Sequence, residues 1–484
     1  MRLSETDASF IYNESVSGPM HISSVYVLEG ELPFEKFLTR FEKRIHLVPT
    51  YRKKLLQVPF SLGHPVWADD ANFDLQNHVI HHQVPQGSSL EEAMDIAVEL
   101  NEPIMDRDKP LWKMLLIEGV PGKTLLLQMT HHAMIDGASG IALTMVLYDL
   151  AQNAGEPVPP NEPWQPEPAP GPAQLMSDAI QDNIRDATEN NPISLMSRAV
   201  ANREKLTKAT SILSRFAQQP AITAPFNAGV VGPKRKVRWM KKSFAEIRDI
   251  RKQLGGTIND VVLTVVSEAV ARYLKAHDER VDGQFMRIMC PVNVRTESQQ
   301  GALGNQVSAI FPLLPTEPMD CLQRLNVVIA ETERIKRDEE AQAMTVLQES
   351  MPTLPPLGMI ASQLVGTNFD PTAVAARMPL PPVPSIGGYR PPNLGYNFTC
   401  TNVPGVQVPQ YMCGHEVTDT VGLLVLNGNV GFSITILSYN KKLFFNFICE
   451  PRLLPDLELI VQGADDVFQE LMSAAQQKNK IRQA

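Results

Sequence analysis

Between Pro157 and Pro172 the chain reads PVPPNEPWQPEPAPGP, eight prolines in sixteen residues. Each proline removes a backbone donor and fixes its own φ, so neither a helix interior nor a central strand can pass through such a stretch. The segment reads as an extended connector and divides the chain into parts that must fold on either side of it. The expectation is a first lobe at residues 1–155, a proline-rich and helical linker at 156–225, and a second lobe at 226–484. Within the linker, Ala173 to Gln219 is rich in helix formers and reads as helices bridging the lobes. A second irregular region, Met351 to Pro392, is again dense in proline. With 484 residues, the chain is long enough for a large core.

Both halves mix strand and helix. Leu125 to Thr130 is a short apolar run before a glycine-containing turn, as in a buried strand. Ile141 to Leu150 carries apolar residues at 143, 146, 147 and 150, which is helical spacing. Val261 to His277 reads as a long helix. Phe285 to Val292, Val430 to Leu437 and Phe444 to Ile448 read as strands. This alternation favours an α/β or α+β fold.

The charge balance excludes one class of function. Acidic residues number 53 against 44 basic ones, a net charge of −9, which argues against nucleic acid as a partner. The five cysteines (Cys290, Cys321, Cys400, Cys413 and Cys449) are scattered without C-x-x-C spacing, which fits a reducing cytoplasm better than a disulfide framework. The segment Met1 to Asp7 has no apolar run of the signal-peptide kind. Ile141–Ala151 and Leu423–Leu437 are too short or too interrupted to cross a bilayer, which takes about 20 apolar residues. Any membrane contact is expected to be peripheral.

The sharpest chemical signal is His131-His132-Ala133-Met134-Ile135-Asp136-Gly137. If the strand runs through it, Gln128, Thr130 and His132 share one face, and Leu127, Met129 and His131 share the other. His132 then meets substrate while His131 points into packing. Asp136 falls in the turn, with Gly137 supplying flexibility. A neutral imidazole can take a proton from an alcohol during acyl transfer. A packed strand end is the plain alternative. Metal binding is disfavoured because neighbouring strand residues point apart and no H-E-x-x-H spacing is present. The separate cluster His78, His81 and His82 reads as surface.

The HHxxxDG pattern resembles that of the chloramphenicol acetyltransferase-like superfamily. Further motifs resemble the bacterial wax ester synthase/diacylglycerol acyltransferase family: Pro19-Met20-His21-Ile22, Pro110-Leu111-Trp112, Asn259-Asp260, Pro291-Val292-Asn293-Val294-Arg295, Gly304 to Ser308, and Thr401 to Gly405. The resemblance runs from about residue 3 to about 465. It implies two chloramphenicol acetyltransferase-like lobes with the active site at their interface. It also implies transfer of a fatty acyl group from acyl-CoA to a long-chain alcohol or to diacylglycerol, with His132 as general base. Acyl-CoA would be co-substrate, no cofactor would be needed, and the protein would work at a membrane or lipid inclusion. The alternatives are a free-standing condensation-type acyltransferase and a catalytically silent lipid-binding protein on the same scaffold.

Other residues keep two readings at this stage. Thr257 and Asp260 have helix-capping spacing, which leaves Asn259 as the residue of that pair facing the site. Trp112 packs the core and shapes the pocket. Arg295 either ends its strand in solvent or pairs with Asp136. Lys234, Arg235, Lys236, Arg238, Lys241 and Lys242 place six positive charges in nine residues. They form either a solvated face or a contact for CoA phosphates or anionic lipid. Leu357–Val365 and Met378–Pro384, apolar and proline-flanked, read either as a shallow docking surface or as cover for the acyl tunnel.

Overall fold

Apolar runs bounded by turn residues become strands in both halves, and the strands collect into two sheets. The computed structural model describes residues 1–135, 143–155, 157–160, 162–189, 191–293, 307–350, 393 and 395–483. In the first lobe, β1 (His21–Glu29), β4 (Val79–Gln83), β5 (Trp112–Glu118) and β6 (Lys123–His131) form the body of one sheet, and β2 (Lys53–Leu56) pairs with β3 (Val66–Asp69) beside it. The second sheet contains β7 (Lys236–Ser243), β8 (Phe285–Asn293), β9 (Val307–Ile310), β10 (Leu313–Pro315), β11 (Phe398–Pro404), β14 (Phe432–Tyr439) and β15 (Lys442–Cys449).

Both faces of the first sheet are covered. Leu125, Leu127 and Met129 of β6 pack with residues of α1 (Glu5–Asn13) and α3 (Leu90–Leu100). The alternate residue Leu126, with Trp112, Met114 and Leu116 of β5, packs under Phe37 and Phe41 of α2 (Phe34–Arg44). This period-two split of one strand between two cores is what makes β6 nearly continuously apolar.

The segment between the lobes makes contacts with both. After the proline run, α4 (Pro172–Glu189) is tied to the first lobe by Arg2, 3.1 Å from both Asp182 and Asp186. Next come α5 (Pro192–Ala201) and α6 (Arg203–Gln218), and α6 buries Ala209 and Ile212 against Ala343 of the second lobe.

Residues 226–484 do not all stay in one sheet. β12 (Tyr411–Met412) and β13 (His415–Leu423) complete the first sheet, whose order is β12-β13-β1-β6-β5-β4. β13 pairs with β1 from Ser23↔Leu423 to Leu28↔Val417. Gly422 permits close approach to the second sheet, because a Cβ there would meet Thr435 and Leu437 side-chain atoms at 3.0 Å. A boundary drawn along the sequence therefore does not separate the sheets.

In the second lobe, α7 (Phe244–Leu254) and α8 (Ile258–Ala276) are followed by α9 (Cys321–Arg337), α10 (Glu340–Ser350) and α11 (Leu457–Gln483). Fourteen of the nineteen α8 residues are buried, so its all-round apolarity marks a core helix. Thr257 and Asp260 cap it reciprocally, and Thr332 Oγ1 donates to the buried Asp260 at 2.7 Å. Among the described residues no single helix is long and apolar enough to cross a membrane.

Candidate active site

The interior strand β6 carries His131 at its C-terminal end, with His132 just beyond it. His131 N–H donates to Leu111 O at 2.9 Å, and His132 N–H donates to Met20 O at 2.8 Å. Because the strand ends at His131, its alternation no longer governs the next side chain. Gln128 and Thr130 are buried, and Thr130 Oγ1 lies 3.1 Å from the Tyr51 hydroxyl. The half-buried His132 ring instead stacks on Phe10 of α1, with centroids 3.9 Å apart and planes 9° apart. Phe10 itself packs on the Leu127 and Met129 side. Face contact with Phe10 sets the plane of the imidazole.

His131 is fully buried and chemically constrained. Its Nδ1 accepts the Ala133 N–H at 3.1 Å, so the proton of the neutral ring sits on Nε2. That Nε2 lies 3.4 Å from Glu14 Oε1, a close electrostatic contact short of a well-aligned hydrogen bond. Glu14, also buried, accepts the Met20 N–H at 3.1 Å on the same oxygen and Arg107 at 3.0 Å on the other. Burial pushes the Glu14 carboxyl up, but His131, the Met20 N–H and Arg107 together outweigh it and hold the group at about 2. His21, opposite His131 across the β1–β6 pair, is kept neutral chiefly by burial, which draws it down to about 4. Its Nε2 donates to Asn101 O at 2.6 Å, while its buried Nδ1 has no partner among the described residues.

The other candidate residues fall in different places. Trp112 is fully buried, donates from Nε1 to Tyr51 O at 2.7 Å, and stacks on Tyr51 at 4.2 Å and on His78 at 4.6 Å. It stands directly across from Thr130, so it supports the strand that carries the histidines. His78 is therefore interior, contrary to the surface expectation: its Nδ1 bonds the Trp112 carbonyl at 2.9 Å. His81 is exposed and paired with Glu118. Asn259 is half-buried in the first turn of α8, and no hydrogen bond joins it to either histidine. Asp136, Gly137 and Arg295 lie outside the described residues, as do Gly304 to Gln306, Leu357–Val365 and Met378–Pro384.

The basic run proves to be a seam between lobes. Lys234 binds Glu99 and Glu102, while Arg238 binds Glu91, Asp95 and Glu458. Lys236 meets Glu458, Lys241 meets Asp419 at 2.8 Å, and Lys242 meets Asp465. Arg235 donates to the carbonyls of Ser17 and Leu426. Five of the six cations thus have carboxylate partners, while the Arg235 guanidinium binds main-chain carbonyls. The acids of α3 stand at 91, 95 and 99, a helical stripe facing β7.

Sequence reasoning missed Phe10, Glu14 and Arg107. Phe10 looks like any apolar residue on an amphipathic helix. Glu14 is a single acid just after that helix, and its partners are brought to it only by the fold. Nothing in local spacing marks it.

Residues 3–262 match the wax ester synthase/diacylglycerol acyltransferase catalytic domain, and residues 303–472 match the C-terminal domain of the same group. The chain is similar to the Mycobacterium tuberculosis protein named probable diacylglycerol O-acyltransferase tgs1, at 26% identity over 99% of this chain and 97% of that one. The fold is similar to that of the wax ester synthase/diacylglycerol acyltransferase from Marinobacter aquaeolei VT8, with TM-score 0.64 at 19% identity, covering 98% of this chain and 100% of that one. A starter condensation domain of rhizomide synthetase, solved with C8-CoA, aligns at TM-score 0.55 and 15% identity over 98% and 94% of the two chains. The two-lobed acetyltransferase-like architecture is thus shared across these proteins.

Proposed function

The chain belongs to the wax ester synthase/diacylglycerol acyltransferase family and is an acyl-CoA-dependent O-acyltransferase, and we propose that its acceptor is a long-chain alcohol or diacylglycerol and its general base is His132. The observation that carries the assignment of the base is the unequal placement of the two histidines. His131 is sealed in the interior with its tautomer fixed, whereas His132 is half-buried with its plane set by Phe10.

In the proposed reaction the acceptor hydroxyl oxygen attacks the thioester carbonyl as its proton passes to His132. The tetrahedral intermediate collapses, the carbon–sulfur bond breaks, and the CoA thiolate takes the proton from His132. Ester and CoA–SH leave, and the histidine is again neutral. The chemistry requires no acyl-enzyme and no cofactor beyond acyl-CoA as co-substrate. The name of the M. tuberculosis relative supports diacylglycerol as acceptor, and that of the Marinobacter protein supports both acceptors.

Both products are insoluble in water, so the proposal includes peripheral contact with a membrane or lipid inclusion, on the cytoplasmic side. The outward residues Ile193, Met196 and Val200 of α5 support this, since they line one helical stripe and are 82%, 71% and 68% exposed.

Release of CoA thiol from palmitoyl-CoA, measured with hexadecanol, diolein or neither, tests the function. The expected result is release that depends on one or both acceptors and yields the matching ester. Lipid binding without acceptor-dependent release would instead support a silent binding protein. Amide formation in preference to ester would support the condensation-type alternative.

A further inference from the structure

The reactive peptide is held at three points, and all three lead to one carboxylate. Glu14 Oε1 accepts the Met20 N–H at 3.1 Å, and the Met20 carbonyl in turn accepts the His132 N–H at 2.8 Å. The same oxygen faces His131 Nε2 at 3.4 Å, and His131 Nδ1 accepts the N–H of Ala133 at 3.1 Å. The backbone on both sides of His132 is therefore tied to Glu14, through Met20 on one side and through the His131 ring on the other. Arg107 completes the arrangement by binding Glu14 Oε2 at 3.0 Å and the Ile11 carbonyl at 2.8 Å. Ile11 directly follows Phe10 on α1, so the helix that supplies the stacking ring is fastened to the same cluster.

We infer that Glu14 is a positioning residue for the acyl transfer: it touches neither substrate nor reacting atom, and it orients His132 through Met20 and through the His131 tautomer. The inference rests on His132 being the base. A carboxylate is the group suited to this place. An amide in the same position can accept the Met20 N–H, but it removes the charge that Arg107 and the Nε2–H of His131 both face. With that charge gone, the His131 ring has less reason to keep its proton on Nε2, and a proton on Nδ1 would meet the Ala133 N–H donor to donor. The main chain beside His132 would then have to move. Reacting groups tolerate little of this, since a displacement of about 1 Å costs on the order of 100-fold in rate.

The test is a double-mutant cycle in the full-length protein, using Glu14→Gln, His132→Ala and the pair, with thiol release normalised to folded protein by circular dichroism. Glu14→Gln alone is expected to lower kcat by about 10-fold or more while leaving KM for acyl-CoA within about twofold. Combined with His132→Ala it is expected to add almost nothing, because the base it orients is gone. Glu14→Asp, which keeps the charge on a shorter arm, should recover part of the loss and serves as the readout if the glutamine variant folds poorly. The ring nitrogens of His131, followed by ¹⁵N NMR in the wild type and Glu14→Gln, should show the Nε2–H tautomer give way to a mixture.

A folded Glu14→Gln protein with near-normal kcat would overturn the inference, and so would an equal fold-loss in both backgrounds, which is the signature of a merely structural residue. If His132→Ala itself retains activity, it is the reading of the base that fails, and the two failures are told apart within the one experiment.

Discussion

Each lobe buries a carboxylate, and the two are treated differently. In the second lobe Glu268 accepts Arg324 Nε at 2.8 Å, Arg272 Nε at 3.0 Å and the Met319 N–H at 3.1 Å, and both Glu268 and Arg324 are fully buried. The remaining Arg324 donors reach the carbonyls of Pro315 and Glu317. In the first lobe Glu14 has Arg107 and the Met20 N–H, but its contact with His131 is longer and less well aligned. A closed network of the first kind holds architecture together and has no group left to respond to chemistry. The looser network borders the peptide that carries His132. Glu268 thus serves rigidity, whereas Glu14 sits in a looser network beside the histidine pair.

The largest effect expected from this contrast is on stability. Arg324→Met leaves Glu268 buried with its main partner gone and should cost about 3–5 kcal/mol in denaturant unfolding. Thiol release per folded molecule should hardly change. A fall in specific activity with little loss of stability would erase the distinction between the lobes.

Acid should separate the lobes next. Burial is the main reason His21 and His64 are drawn down to about 4, so both are neutral when folded. The unfolded chain binds protons at these sites as pH falls from about 6.5, so the stability they confer is lost between there and about 4. Glu14, held at about 2, adds a loss that starts as pH drops below the ordinary carboxylate value. His277 in the second lobe has the opposite sign. Burial lowers it, but the Tyr273 carbonyl and Asp456 outweigh that and raise it, so its contribution is fully present in acid and fades as pH rises through its raised value. Hydrogen exchange at pH 5 against pH 7, corrected for intrinsic rates, should show β1 and β6 losing protection while the end of α8 keeps it. Uniform loss would contradict the assignment.

Phe10→Leu should have a smaller effect, and a catalytic one. It keeps apolar bulk but removes the π face against which the His132 imidazolium forms, an attraction worth about 0.5–2 kcal/mol. A drop in kcat of a few-fold to tens-fold with little change in melting is expected, and unchanged kcat would show the stack to be packing alone. Smallest of all should be Lys234→Glu, which breaks solvent-exposed pairs that contribute little to stability. Its KM for acyl-CoA should show no salt-dependent change, whereas a clear rise at low salt would restore the phosphate-contact reading.

What could be read from the sequence follows from the range of the interactions involved. The Thr257–Asp260 cap, the long helix after it and the strand leading into His131 are set by spacing over a few residues, and they stand where spacing puts them. The strand swap is not local: β13 pairs with β1 across nearly 400 residues, and nothing in His415–Leu423 says which sheet it will join. The basic run was legible as charge, but its partners on α3 lie more than 130 residues away. The burial of His78 depends on Trp112 from another strand. For the site, the histidine pair was visible as a motif, while Phe10 and Glu14 became visible only once α1 was seen against the end of β6.

The central claim is that two adjacent histidines divide the work, His132 as the base and His131 as a buried support. Thiol release from palmitoyl-CoA with saturating acceptor, compared for wild type, His131→Ala and His132→Ala at matched folded concentration, tests it most directly. The account predicts that His132→Ala stays folded and loses about 10²–10⁴-fold in kcat, the range general-base catalysis supplies. It predicts that His131→Ala loses less activity and more thermal stability. Near-wild-type turnover in a well-folded His132→Ala protein would contradict it.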